Sequence, residues 1–352
     1  MICSVRFLSF RPPYFFTTYA VRSISIFRGS ILRTPLTCDN LNSNVKKVEY
    51  AVRGPIPTRA LQIESELISH PESFQFDKLI YVNIGDPQNL GQCPLTFPRQ
   101  LLALCAYPAL ISKNSTLFPS DVLQRARNIL DSTGSFGGYS HSLGFSFVRK
   151  SIANFILKRD HIRSDSTIIL SDGASKIINV LLSCLSSNTA SLPTGVMIPI
   201  PQYPLYTASL SYLGLFPIPY YLHEDSCWGF SIDDLSTTLK NHTDLSLPTA
   251  FVVINPGNPT GQCLDASQQL KILRFCYDNN LLLLADEVYQ DNIYDKDVKW
   301  TSFRKVLLDN KTYQLGKILH LTSTVHATNL VDTLVCPTSL MAERFSYFPG
   351  LT

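Results

Sequence analysis

"LLLLADEVY", residues 281–289, opens on four consecutive leucines and closes on two carboxylates and a phenol. A continuous apolar run of this kind fits a strand buried on both faces, which is the habit of parallel sheets covered by helices. An acid at the end of such a strand is costly unless a cation or strong donors pair with it. Asp286 therefore reads as a partly buried, positioned carboxylate at the carboxyl edge of a sheet.

Outward from this stretch the pattern repeats. "STIIL" (166–170) is expected as a strand with a helix in "SKIINVLLSCL" (175–185) behind it, and "GVMIPI" (195–200) as a second strand followed by the helical "LYTASLSYLG". "TAFVVIN" (249–255) is a third, ended by the turn-forming "PGNPTG" and followed by a helix in "ASQQLKILRFCYDNN"; "KILHLTST" (317–324) is one more. Strands alternating with helices at this spacing imply βα units, an α/β class and a mostly parallel sheet. Residues 46–160 are less regular, with amphipathic helices expected at "PTRALQIESELISH" and "FSFVRKSIANFILKRD". After Thr324 the alternation stops, and no element is expected over 325–352.

A chain of 352 residues, 45% hydrophobic, can bury a sizeable core and suggests about two domains. Residues 1–38 contain Arg6, Arg11, Arg22, Arg28 and Arg33 and no Lys, Asp or Glu. These arginines outweigh the net charge of +3, so the rest of the chain carries a slight negative balance and no electrostatic case for nucleic acid or an anionic membrane. An Arg-, Ser- and Thr-rich, acid-free leader has the composition of a mitochondrial transit segment, which places the protein in the matrix; the plain alternative is an unstructured N-terminus on a cytoplasmic protein. No segment approaches the ~20 apolar residues of a membrane span. Nine scattered cysteines without a Cys-x-x-Cys pair argue against a disulfide framework and against a metal site.

Ligands of open parallel sheets bind outside the carboxyl ends of the strands. The first strand runs into Gly173-Ala174-Ser175 and a helix, so backbone N–H groups can approach an anion such as a phosphate. The second delivers Tyr203, an aromatic face in a Pro-bracketed loop. The third delivers Asn258 in "NPGNPTG", and the fourth Asp286 and Tyr289. Singly, each is an ordinary turn or packing residue. Together they supply a phosphate cradle, a stacking ring, an amide, a phenol and a carboxylate able to keep a ring nitrogen protonated, the set that pyridoxal 5′-phosphate (PLP) requires.

In order along the chain, "VEYAVRGPI" (48–56), "NIGDPQNLGQCPLTFPRQLLALC" (83–105), "SDGAS", "PIPQYPLY", "NPGNPTGQCL" and "ADEVYQDNIY" (285–294) resemble the fold-type I PLP-dependent aminotransferases, class I/II, and among them the alanine aminotransferase group. The resemblance spans roughly 46–324. It implies a three-layer αβα large domain at 136–324, incomplete in this chain, preceded at 39–135 by an N-terminal arm and part of a small domain that is also incomplete. It implies that Gly173, Ala174 and Ser175 contact the phosphate, that Tyr203 stacks on the ring, that Asn258 and Tyr289 bond its hydroxyl oxygen, and that Asp286 pairs with its nitrogen. Tyr139 resembles the tyrosine that reaches the partner subunit's phosphate, which implies a homodimer, and Gly85 the loop near the substrate carboxylate. The implied substrates are an amino acid and a 2-oxo acid, with L-alanine and 2-oxoglutarate exchanging an amino group. The alternatives are another fold-type I enzyme, either a different transaminase or an aminocyclopropane-carboxylate-synthase-like lyase, and a non-catalytic PLP-binding or dimerising subunit.

One expected residue is missing. The family carries a Schiff-base lysine just after a Ser/Thr-rich strand end, and here Thr322-Ser323-Thr324 are followed by Val325. At about 3.3 Å per strand residue, Lys317 would lie some 25 Å away. The expectation is an inactive or truncated form whose residues 325–352 are a divergent tail, arising from an alternative exon, a frameshift or a mis-joined reading frame, or else an evolved pseudoenzyme.

Overall fold

The computed structural model describes residues 37–310, except 86, 89, 114–115, 135–137, 163–166 and 187–190, together with 318–319 and 332–336. The chain divides into two units, Met1–Leu41 and Asn42–Thr352. In the first, the described residues form a turn in which the Thr37 N–H donates to Asn40 Oδ1 at 2.8 Å.

The second unit begins with helices α1 (Ser43–Lys46), α2 (Pro55–Ser69), α3 (Thr96–Ala106), α4 (Ala109–Lys113), α5 (Ser120–Thr133) and α6 (Ser146–Asp160). There follow β1 (Thr167–Ser171), α7 (Ala174–Leu185), β2 (Thr194–Ile200), α8 (Leu205–Leu213), β3 (Phe216–Tyr221) and α9 (Ile232–Asn241). The chain continues through β4 (Leu247–Ile254), α10 (Ala266–Asp278), β5 (Leu282–Asp286), α11 (Phe303–Asp309), β6 (Ile318–Leu319) and β7 (Asp332–Cys336). Five of the strands form a sheet in the order β3-β2-β4-β5-β6, and every neighbouring pair is parallel.

Side chains alternate across the sheet, so β2, β4 and β5 each feed two cores. Val196, Ile198, Ala250, Val252, Ile254 and Leu284 pack with α7 and α8. Met197, Phe251, Val253, Leu283 and Ala285 pack with α9, α10 and α11 on the other face. This is the expected α/β arrangement of three layers, helix–sheet–helix. Each large side chain removed from water in these two cores contributes about 1.5–3 kcal/mol. A smaller cluster around Leu104, Val122 and Ala126 is closed by α3, α4, α5 and Phe118 of the loop between α4 and α5.

Several strands differ from expectation. Among the described residues, β1 is paired outside the parallel sheet, antiparallel with β7, Thr167 opposite Cys336 and Ser171 opposite Asp332. The expectation of no element after Thr324 is thereby corrected: "DTLVC" has the β-branched content of a strand, and the open edge of β1 supplies its ladder. β3 was not expected, because Pro217 and Pro219 break the strand signature; it lies at the sheet edge, where a missing N–H costs no ladder bond. Of "KILHLTST", the described strand is Ile318–Leu319, and 320–331, including Val325, lie outside the described residues. Of the leader 1–38, residues 1–36 lie outside them as well.

A buried polar cluster joins α6 to the segments flanking α11. Arg159 forks onto Asp160 at 2.7 and 2.8 Å and also donates to Gln290 Oε1 at 2.8 Å. Asp160 further accepts from the Ser302 hydroxyl at 3.1 Å and from Arg304 at 3.3 Å. The Arg159 guanidinium also lies over the Trp300 ring, 5.2 Å from its centroid.

Candidate active site

Strand parity decides where the two carboxylates of "ADE" go. Asp286 is two residues beyond Leu284 and faces the α7/α8 side, whereas Glu287 faces the α10/α11 side. Asp286 is buried rather than only partly so, at 7% exposure, and its Oδ2 accepts the Tyr206 hydroxyl at 2.7 Å. The Val288 N–H adds a weaker bond to Oδ1 at 3.3 Å. Glu287 is structural, since its Oε1 accepts the Phe303 N–H at 2.7 Å and so caps the start of α11.

Around Asp286 stand the other strand-end residues. Tyr203 follows β2 and packs on the cluster that contains Leu284. Its hydroxyl meets that of Tyr50 at 2.6 Å. Asn258, in the turn after β4, donates through Nδ2 to the Tyr289 hydroxyl at 3.4 Å. Burial raises the Tyr289 phenol above its ordinary range, with the Asp286 charge adding to the shift and the Asn258 bond opposing it. Tyr203 is pushed up to about 12, first by burial, then by its bond to Tyr50, with smaller contributions from Tyr289 and Asp286. Tyr206, fully buried, is raised well above a phenol's usual value by burial and then by Asp286. All three phenols stay protonated at neutral pH and can act as donors.

The turn before α7 completes the set. Gly173 has φ 112°, a conformation that L side chains rarely adopt, and as the N-cap of α7 it offers no side-chain hydrogen bond. The first N–H groups of a helix have no intrahelical acceptor, so Ala174 and Ser175 present backbone donors with the positive end of the helix dipole behind them. Ala174 packs against the same cluster as Tyr203. Two further candidates are not drawn in: Tyr139 is fully exposed between α5 and α6, and Gly85 is exposed with nothing within 4 Å of where a Cβ would be.

Tyr203, Asn258, Asp286 and Tyr289 are thus brought together, while Tyr206 and Tyr50 complete the cluster without having been expected. Tyr206 lies three residues after Tyr203 on the opening turn of α8, and i, i+3 spacing on a helix start was the one signal that could have suggested it. Nothing local to Tyr50 announces a partner 153 residues away. Chemically, the arrangement can take a flat, electron-poor ring with a cationic edge toward Asp286, a hydroxyl toward Asn258 and Tyr289, and an anionic arm toward α7.

A family profile described as aminotransferase class I and II matches residues 100–325. The alanine aminotransferase 2-like protein of Danio rerio is 47% identical over 278 residues, covering 78% of this chain and 50% of that protein. The mitochondrial alanine aminotransferase 1 of Arabidopsis thaliana is 44% identical over 278 residues, 77% of this chain and 51% of its own length. The chain therefore spans about half the length of these relatives. Among solved structures, an alanine aminotransferase from Pyrococcus furiosus superposes with a TM-score of 0.62 at 19% identity, covering 87% of this chain and 66% of its own, a likeness of fold.

Proposed function

The chain belongs to the aminotransferase class I and II family, and from that premise we propose that it holds PLP across the carboxyl ends of β2, β4 and β5. By family, the reaction proposed for such a site in a form that carries the lysine is transfer of the amino group of L-alanine to 2-oxoglutarate, giving pyruvate and L-glutamate. The observation that carries this reading is Asp286, a buried carboxylate fixed by Tyr206 and ringed by Tyr203, Asn258 and Tyr289. When bound, PLP supplies a carbonyl that takes up the amino group and a protonated ring that accepts the electron pair released at the substrate α-carbon.

This chain's residues divide the work of holding it. Asp286 would keep the ring nitrogen protonated, with Tyr206 fixing one carboxylate oxygen. Asn258 and Tyr289 would bond the ring hydroxyl oxygen, Tyr203 would lie against the ring face, and the N–H groups of Gly173, Ala174 and Ser175 would take the phosphate. Gly85 is assigned to the loop near the substrate carboxylate and Tyr139 to the phosphate of a partner subunit in a homodimer; its full exposure leaves it free to reach out. The division into an arm and partial small domain at 39–135 and a large domain at 136–324 belongs to the same proposal, as does a mitochondrial address for the Arg-rich leader.

Val325 stands where the family resemblance puts the lysine that moves the substrate proton. A valine has no group that accepts a proton, so in this reading the chain binds the cofactor without turning substrate over. The test is to incubate the purified protein with PLP, reduce with borohydride and map the label, while following pyruvate formation from alanine. Reversible binding, no single labelled active-site lysine and no pyruvate are expected. Fixation to one lysine together with transamination of alanine would overturn the inactive assignment. Asp286→Ala should weaken PLP binding at least about tenfold, as expected when a charged partner is lost.

A further inference from the structure

The Tyr50–Tyr203 pair carries an assignment that the strand-end residues do not. Tyr50 lies on the segment preceding α2, 153 residues from Tyr203, yet the two hydroxyls are 2.6 Å apart and the rings meet edge to face, centroids 6.2 Å apart at 81°. The segment that carries Tyr50 is itself held: the Tyr50 carbonyl accepts the Arg53 N–H at 3.0 Å, and the Val52 carbonyl accepts Asn83 Nδ2 at 3.1 Å. Asn83 is two residues before Gly85. A phenol anchored only at its Cα can turn about χ1 and χ2, whereas one gripped at its hydroxyl and flanked by a second ring loses that freedom before any ligand arrives.

We propose that Tyr50 is a positioning residue for the cofactor site: it pins the far end of Tyr203 and so presets the angle of the ring against which the pyridine of PLP lies. This rests on the reading that Tyr203 stacks on PLP. In this assignment Tyr50 acts through Tyr203, and its benefit is preorganisation, the ordering cost of the Tyr203 ring being met in the folded protein rather than at binding. Burial and the Tyr50 bond both keep the Tyr203 hydroxyl protonated, so the pair remains intact through the neutral range.

The experiment measures PLP affinity by fluorescence quenching and the induced circular dichroism of bound PLP for the full chain and for Tyr203→Ala, Tyr203→Phe, Tyr50→Phe and the double Tyr50→Phe/Tyr203→Phe. Tyr203→Ala should lose at least about tenfold in affinity, and each single Phe variant about 3- to 10-fold, the worth of one hydrogen bond. The double variant should be no worse than the weaker single, because both remove the same bond. The induced dichroism of Tyr50→Phe should fall although its thermal midpoint drops by no more than about 2 °C, which separates positioning from general destabilisation. Without PLP, Tyr203→Phe should speed amide exchange over residues 48–53. A weakened Tyr203→Ala beside an unchanged Tyr50→Phe, losses that multiply in the double variant, or unchanged exchange over 48–53 would overturn the role of Tyr50. If Tyr203→Ala binds PLP as wild type does, the stacking reading itself fails, and this inference with it.

Discussion

Helices α10 and α2 have similar lengths and are both amphipathic, yet they meet opposite fates. α10 starts from a reciprocal cap, Asp265 with Gln268, and buries Ile272, Leu273, Phe275 and Cys276 against the sheet. α2 starts at Gly54 with no side-chain cap bond and buries no residue; Ile56 and Ile68 are 84% and 83% exposed. Hydrophobic periodicity reports which face of a helix favours burial and says nothing of whether a layer is there to receive it. The parallel sheet provides that layer for α10. The contrast extends to charges: the α6–α11 junction buries its ions, while α2 displays its own.

The largest effect should come from breaking the buried ions. Asp160 is 2% exposed and faces Arg159 and Arg304, themselves 13% and 5% exposed. Asp160→Ala leaves the buried Arg304 and the partly buried Arg159 without their shared carboxylate and should cost about 3–5 kcal/mol in urea unfolding. The Arg59–Glu66 bridge on α2, at 2.7 Å, is of similar length but is exposed. Glu66→Ala should leave the unfolding midpoint where it is, since exposed pairs are screened and lose side-chain entropy on forming. A comparable loss at both sites would erase the contrast between the two regions.

Next in size is the apolar version of the same test. Leu273 is fully buried on α10, and Leu273→Ala should cost about 2–5 kcal/mol through lost transfer energy and a residual cavity. Leu61, 59% exposed on α2, should change stability by about 0.5 kcal/mol or less on truncation to alanine. Paired thermal melts decide it, and a Leu61→Ala loss near that of Leu273→Ala would mean that α2 is covered in solution.

These two regions also explain what could be read from sequence. "LLLLADEVY" and "TAFVVIN" announced β5 and β4 because a strand buried on both faces is apolar throughout, and their ends then pointed to Asn258, Asp286 and Tyr289. β3 stayed hidden because Pro217 and Pro219 are tolerated only at an edge, and edge position is a property of the assembled sheet. β7 stayed hidden because its ladder partner, β1, lies far upstream. The bonds of Tyr206 to Asp286, of Arg159 to Gln290 and of Tyr50 to Tyr203 were equally illegible, since each depends on how layers dock and not on any local pattern. Even the opposite roles of Asp286 and Glu287 emerge only when strand parity is combined with knowledge of which helices cover each face.

The smallest expected effect tests the Tyr50–Tyr203 hydrogen bond, which ties the segment before α2 to the strand ends of the sheet. Tyr203 has a folded-state pKa of about 12 against an ordinary 10.0. The folded protein therefore holds this proton more tightly than the unfolded chain does, and the resulting stability is whole below pH 10 and is lost as the pH rises toward 12. The Tyr203 ring is partly exposed, so screening reduces the effect, and between these pH values wild type should lose about 1–2 °C of thermal midpoint more than Tyr203→Phe does. Tyr50→Phe removes the second of the causes that raise this pKa and should fall between the two. Fully buried Tyr206 and Tyr220 are likewise raised well above a phenol's usual value and contribute to all three proteins alike, so the differences isolate the Tyr50–Tyr203 pair. If Tyr50→Phe matches wild type across this window, the segment before α2 contributes nothing to holding Tyr203, and the poorly buried N-terminal region is energetically separate from the sheet.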